Sequence, residues 1–196
     1  MKLEIVIPGV ILAILLALPL VVDSRAVFNL LTHILVVSIF AMSYDILLGY
    51  TGIISFGHAL FFGSGAYFIG LILKNAGPSL VNVFIGLAAS ILFGLIVALI
   101  IGTLSLRVRD TYYAMVTLAF GELFYIAALK LRVFTGGEDG FSFYVPRMLQ
   151  NRIGFYYMVL IIVIAVYLLL RTFISSPTGK VLQAIRENER RAEALG

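Results

Sequence analysis

The sequence has 196 residues, 62% of them hydrophobic and 12% charged, with a mean hydropathy of +1.10. A soluble domain carries about 25% charged residues, so the composition excludes one and defines an integral membrane protein. The apolar runs are continuous rather than alternating, which excludes an outer-membrane barrel. The absence of cysteine excludes disulfides and thiolate metal sites, and two histidines leave no recognisable metal cluster or cofactor site.

Six runs are long enough to cross a hydrocarbon core about 30 Å thick, which takes about 20 helical residues. The fold expected is all-α: a polytopic transmembrane bundle of about six spans over residues 1–174, followed by a segment at 175–196. The net charge of +4 concentrates towards the end, at Arg171, Lys180, Arg186, Arg190 and Arg191. That points to a cytoplasmic tail rather than to nucleic-acid binding.

The first span is expected at Ile5 to Val22. Its basic start at Lys2 is that of a signal peptide, but Val22-Asp23-Ser24-Arg25 is a poor cleavage site, so an uncleaved span is expected. Val27 to Leu48 is the second, closed by Gly49-Tyr50-Thr51-Gly52. Asp45 falls about one turn from its end, on the face of Ser38 and Ala41. Its carboxylate either lines a polar path or sits at the interface and accepts hydrogen bonds from the Gly49–Gly52 turn, the reading favoured here.

From Gly49 to Gly70 the chain reads GYTGIISFGHALFFGSGAYFIG, six glycines interspersed with Ser55, Ala59, Ser64 and Ala66. Wound as one helix at about 100° per residue, Gly52, Ser55, Ala59, Gly63, Ala66 and Gly70 share a narrow stripe. Ile54, Leu60, Phe61, Phe68 and Ile72 cover much of the opposite side. Small residues let a neighbouring backbone approach closely and leave the bulky face to lipid, so this helix is expected inside a bundle. His58 is either a proton or substrate contact or a histidine hydrogen-bonded inside the bundle. The spacing of Gly52, Ser55 and Gly57 does not match the Gly-x-Ser-x-Gly turn of a serine nucleophile.

Lys74 to Pro78 is a turn, Leu80 to Leu106 the fourth span, and Thr111 to Leu129 the fifth. Glu122 lies near the middle of the fifth. A charged group at a helix centre costs about 2.5–3.5 kcal/mol on insertion scales, so it should face protein or water. It serves either as a functional polar group or as a structural hydrogen-bonding carboxyl. The Leu131–Arg152 loop carries Thr135-Gly136-Gly137-Glu138-Asp139-Gly140, a defined turn in a connection longer than a helix hairpin needs. It lacks the liganding pattern of an EF-hand.

Ile153 to Ile174 is the sixth span. Ser176 then caps a helix with Pro177 in its first position. Val181, Leu182, Ile185, Ala192 and Leu195 recur at helical spacing among charged residues, a pattern suited to the membrane surface or to a partner's groove. With six spans and a cytoplasmic tail, both termini and the Arg107–Asp110 loop are cytoplasmic and the Leu131–Arg152 loop is outside.

Four stretches in order resemble the membrane permeases of ABC importers for branched-chain amino acids. They are Gly49 to Ala59 with Phe61 to Tyr67; Tyr113 to Phe120; Thr135 to Gly140; and Ser176 to Lys180 continuing through Arg186-Glu187-Asn188-Glu189 to Glu193-Ala194-Leu195-Gly196. The resemblance implies a subunit of the bacterial or archaeal cytoplasmic (inner) membrane. It would pair with a second permease, with two cytoplasmic ATP-binding subunits and an extracytoplasmic binding protein delivering leucine, isoleucine or valine. The chain itself is then no enzyme, and it has no Gly-x-x-x-x-Gly-Lys-Ser/Thr phosphate loop.

The residues assigned to the path and its helix packing are Asp45, Tyr50, Thr51, Gly52, Ser55, His58, Ala59, Gly63, Gly65, Tyr67, Thr117 and Glu122. Gly136, Gly137, Asp139 and Gly140 belong to the external loop. Gly179, Ile185, Arg186, Glu187, Glu189, Glu193, Ala194 and Gly196 belong to the ATPase-coupling helix. Family members continue with further membrane helices, so the chain is expected to be a piece ending at the coupling segment. Urea or short amides are the alternative cargo. A gradient-driven channel or secondary transporter using Asp45, His58 and Glu122 is the alternative mechanism, and no paired nucleophile and base supports an intramembrane enzyme.

Overall fold

A computed structural model describes residues 2–21, 24–105 and 111–195, with side chains for all of these except 2–9, 20, 21, 111, 189, 190 and 193–195. The described chain is helical without strands: α1 (Lys2–Val21), α2 (Arg25–Asp45), α3 (His58–Ala76), α4 (Leu80–Ser105), α5 (Thr111–Lys130), α6 (Arg132–Thr135), α7 (Arg152–Ser175) and α8 (Pro177–Leu195). A π-helical turn, Ile46–Thr51, prolongs α2. Five helices, counting α2 with that turn, are long and apolar enough to cross a membrane, and Val10–Pro19 within α1 is a shorter apolar stretch. The protein is thus a multi-pass membrane protein. The Arg107–Asp110 loop lies outside the described residues.

Two compact units form, Met1–Met42 with Met148–Thr172, and Ser43–Arg147 with Phe173–Gly196. In the first, Tyr156, Leu160 and Val159 of α7 pack with Phe28 and Leu35 of α2. Pro19 has no N–H, so the Leu15 carbonyl four residues earlier loses its helical donor. The Tyr156 hydroxyl donates to that carbonyl at 2.8 Å. In lipid an orphaned carbonyl has no water to turn to, and this bond fixes α7 against α1.

In the second unit α3 and α4 form a hairpin. Gly77 takes the positive φ of its turn (91°), and Asn82 Nδ2 donates to the carbonyls of Ala76 and Gly77, both at 2.9 Å. A Cβ at Gly86 would lie 2.9 Å from the Ile69 Cα, so glycine permits the close backbone approach there. Ser90 Oγ lies 2.7 Å from the Gly86 carbonyl and 3.3 Å from that of Gly65, one donor shared between the two helices.

The third apolar segment departs from expectation. Residues Gly49 to Gly70 are not one helix: the chain is non-helical from Gly52 to Ser55, turns at Phe56 and Gly57, and α3 starts at His58. Gly52 and Ser55 therefore leave the stripe. The faces of α3 are also reversed. Leu60 is buried with Val97 and Ile101 of α4, and Phe61 packs on that cluster with Phe93, Phe120 and Phe124. Ala59 and Ala66 are exposed, and no neighbouring described residue lies within 4 Å of a Cβ built at Gly63 or Gly65. The bulky side chains offer more area to the α4 and α5 partners available within this chain, which leaves the small face open from Ala59 to Ala66.

Candidate functional site

The helix break is the centre of the site, and it is built from the end of α2 outward. Thr51 Oγ1 donates to the Ile46 carbonyl at 2.9 Å. Gly52 adopts the left-handed region (φ 77°) and its N–H bonds to the Leu47 carbonyl, as does that of Ile53 at 2.9 Å. A side chain at Gly52 would be strained by φ alone. Asp45 does not accept hydrogen bonds from this turn, contrary to expectation. Its carboxylate lies against the Cα of Gly49, where any Cβ would collide with Oδ1. The π-helical winding replaces the expected Asx turn, and the backbone and Thr51 bond within the turn itself.

Non-helical backbone at membrane depth is tolerated where it is buried in protein or faces a polar cavity. Here it is seated on α5. Phe56 N–H donates to Thr117 Oγ1 at 3.2 Å, and Thr117 Oγ1 donates to the Ala114 carbonyl at 3.0 Å. Thr117 is 2% exposed and Ser55 7%, so one hydroxyl deep in α5 supplies an acceptor for the broken segment. Gly57 touches the backbone of α5 directly: a Cβ there would stand 2.5 Å from the Thr117 carbonyl oxygen. Opposite it, Gly121 leaves room, with the Gly57 Cα 3.6 Å from where its Cβ would be.

His58 opens α3 and turns back to the end of α2. Its Nε2 lies 2.8 Å from Ser43 Oγ, and its ring packs between Tyr44 and Phe61, at centroid distances of 5.4 and 6.4 Å. It is a half-buried histidine with a hydroxyl partner, joining both sides of the break.

From the other direction comes α8. Ser176 caps it as expected, its Oγ accepting from Gly179 N–H at 3.3 Å. Gly179 lies against the carbonyls of Phe173 and Ile174, where a Cβ would collide, so glycine allows the sharp turn out of α7. Arg186 then donates from Nη1 to the Gly49 carbonyl, and its Cγ is 3.1 Å from where a Gly52 Cβ would stand. An open groove of about 730 Å³ between the two elements is lined by Asp45, Gly49, Tyr50, Gln183, Arg186 and Glu187. Ile185 is half-buried.

The sequence pattern missed a break inside α8. Asn188 leaves helical geometry (φ −164°, ψ 101°), and its Oδ1 accepts from Arg191 N–H at 3.1 Å. It is an N-cap for the last turns, and an asparagine inside a helical pattern was the available signal. The side chains of Glu189, Glu193 and Ala194, and the whole of Gly196, lie outside the described residues.

Other expected residues fall elsewhere. Tyr67 packs on Phe141 at 6.0 Å, Lys74 Nζ sits 5.2 Å above the same ring, and Gly70 is covered by Phe141 and Phe143. Lys74 is about 24 Å from His58 along α3 at 1.5 Å per residue, so this cluster is at the far end of that helix. The loop beneath is fixed by Thr135, whose hydroxyl reaches the Leu131 carbonyl at 2.9 Å and accepts from Gly137 N–H at 3.2 Å. Gly136, Gly137 and Gly140 all take positive φ, and Asp139 is exposed. Glu122 is on the exposed face of α5 with Met115, Leu118 and Ile126. It makes no hydrogen bond or ion pair with another described residue. No cluster of three metal-ligating side chains occurs among the described residues.

Break, buried seat and docked α8 together define a membrane protein in which α8 grips the end of a transmembrane helix. The profile of the family described as branched-chain amino acid transport system, permease component, matches residues 26–196, and the chain belongs to that family. It is 26% identical to the high-affinity branched-chain amino acid transport system permease protein LivM of Salmonella typhimurium, over 95% of this chain and 49% of that protein. Against LivM of Escherichia coli the identity is 25% with the same coverage. Against a probable branched-chain amino acid permease LivM of Methanocaldococcus jannaschii it is 27%, over 81% of this chain and 56% of the relative. The chain spans about half the length of these relatives. No solved structure gave a significant match.

Proposed function

We propose that the chain is a transmembrane permease subunit of an ATP-driven importer for branched-chain amino acids, with α8 as its cytoplasmic coupling helix. The observation that carries this reading is the bond from Arg186 of α8 to the Gly49 carbonyl, at the start of a helix break seated on α5. A push on α8 reaches Gly49 directly and the Thr117 seat through five residues of non-helical chain, Gly52 to Phe56. Broken helices can pivot where continuous ones must move as rods. The groove beside Arg186 carries Asp45 and Glu187, which suit a rim facing the ATPase.

Within the assembly, a second permease packs on the open small face of α3, and Glu122 turns to the path between the two permeases, where water or protein relieves the cost of a carboxylate in lipid. Two cytoplasmic ATP-binding subunits drive α8 from the inner side of the cell's cytoplasmic membrane, where both termini lie. An extracytoplasmic binding protein docks at the opposite face, near the Gly136–Gly140 loop. The cargo is leucine, isoleucine or valine, as the names of the relatives suggest.

The test uses the complete importer in lipid vesicles. Arg186→Ala is expected to leave assembly and basal ATP hydrolysis intact. Stimulation by the loaded binding protein and leucine uptake should fall about tenfold, within the usual range of a coupling free energy. Undiminished coupled uptake would overturn the role of α8. Uptake of urea in preference to leucine would overturn the cargo.

A further inference from the structure

Within the first unit, a groove of about 430 Å³ is lined by Phe28, Asn29, Thr32, His33 and Val36 of α2, by Leu149 and Gln150, and by Arg152 and Phe155 of α7. We propose that it holds the phosphodiester headgroup of an anionic phospholipid.

The placement of polar groups on α2 is the first reason. Asn29, Thr32, His33 and Val36 follow at i, i+3, i+4 and i+7, which is one face of a helix. The neighbouring positions Leu30, Ile34 and Val37 are exposed and apolar, as lipid contact requires. Asn29 and His33 lie about 6 and 12 Å along the helix from Arg25; with Arg25 level with the membrane surface, these distances span the headgroup layer and the top of the hydrocarbon. A polar stripe there needs partners, yet Asn29, His33 and Arg152 make no hydrogen bond or ion pair with another described residue. The Thr32 hydroxyl is already used, donating to the Phe28 carbonyl at 2.8 Å.

Charge is the second. Arg152 is the first residue of α7 and lines the groove, at the helix end whose N–H groups lack intrahelical acceptors and carry a partial positive charge. Arginine binds phosphate oxygens through two parallel donors. Among the described residues no acidic side chain lines the groove, so a headgroup ammonium finds no counter-charge there and an anionic lipid is preferred to a zwitterionic one. Shape is the third: Phe28, Val36, Leu149 and Phe155 give the groove an apolar wall along which the first carbons of an acyl chain can lie.

The experiment takes the complete permease, stripped of lipid in detergent. Retention is followed by native mass spectrometry, and the unfolding midpoint by a thermal scan. Four additions are compared: phosphatidylglycerol, phosphatidylcholine, a diglucosyl diacylglycerol without phosphate, and soluble glycerol 1-phosphate. Phosphatidylglycerol is expected to bind most tightly and to raise the midpoint. Arg152→Gln is expected to weaken it at least about tenfold, the scale of one charge-assisted hydrogen bond, and Arg152→Lys to restore part of the loss. Should Arg152→Gln not fold, the double change Asn29→Leu with His33→Leu gives the same reading. Equal binding of the glycolipid, equal binding of phosphatidylcholine, an effect of glycerol 1-phosphate alone, or full retention by Arg152→Gln would each overturn the proposal.

Discussion

Adding one methyl group at Gly57 tests whether the helix break is seated on α5. Gly57 has φ −83°, which any residue adopts, so the requirement for glycine is contact alone. The new Cβ would stand 2.5 Å from the Thr117 carbonyl oxygen, 3.2 Å from its carbon and 3.3 Å from its Cβ. Two of these three atoms are helix backbone and cannot rotate away, so the break and α5 must separate. Overpacking of this kind costs about 1–3 kcal/mol, a factor of roughly 5 to 150 in an equilibrium constant. Separation would also stretch the Phe56 to Thr117 bond, already 3.2 Å. Gly63→Ala is the control, since no neighbouring described residue lies within 4 Å of where its Cβ would be. Replacing a helix-interior glycine by alanine there should be neutral or stabilise by about 0.5–1 kcal/mol. Unfolding of the isolated permease chain in micelles, followed by denaturing-detergent titration, should come earlier for Gly57→Ala and no earlier than the wild type for Gly63→Ala. A Gly57→Ala protein that unfolds with the wild type, or two variants destabilised alike, would refute the seating of the break.

Thr117→Val keeps the shape of the side chain but leaves Phe56 N–H without its acceptor, which should cost about 1–3 kcal/mol in the same titration; Thr117→Ser should retain most of the stability, and equal losses in both would show that the hydroxyl is not the seat. Glu122→Gln should impair leucine uptake by the complete importer while membrane insertion stays normal, and normal uptake would remove Glu122 from the path.

The helical class and the positions of most spans were legible because lipid imposes simple rules. Long continuous apolar runs become helices, and the expected boundaries of the fourth, fifth and sixth spans differ by only a residue or so from α4, α5 and α7. The cap at Ser176 was equally legible, since capping is decided within four residues. The glycine-rich stretch was not, because glycine serves two opposed purposes. It lets helices approach, as at Gly86, and it lets a chain leave the helix, as at Gly52, and spacing along the sequence does not distinguish them. What decides is the partner: Thr117 gives the non-helical segment a buried acceptor sixty-one positions away, and Arg186 reaches Gly49 across 137 positions.

Faces of helices fail for a related reason. A small-residue stripe records where a backbone can come close, and α3 leaves Ala59 and Ala66 open while burying Leu60. Periodicity therefore reported the face, and packing against α4 and α5 determined its use. The same reasoning explains Glu122, whose position at mid-helix was readable from the sequence, whereas its exposure on α5 depends on which face the aromatic cluster of Phe93, Phe120 and Phe124 had already claimed.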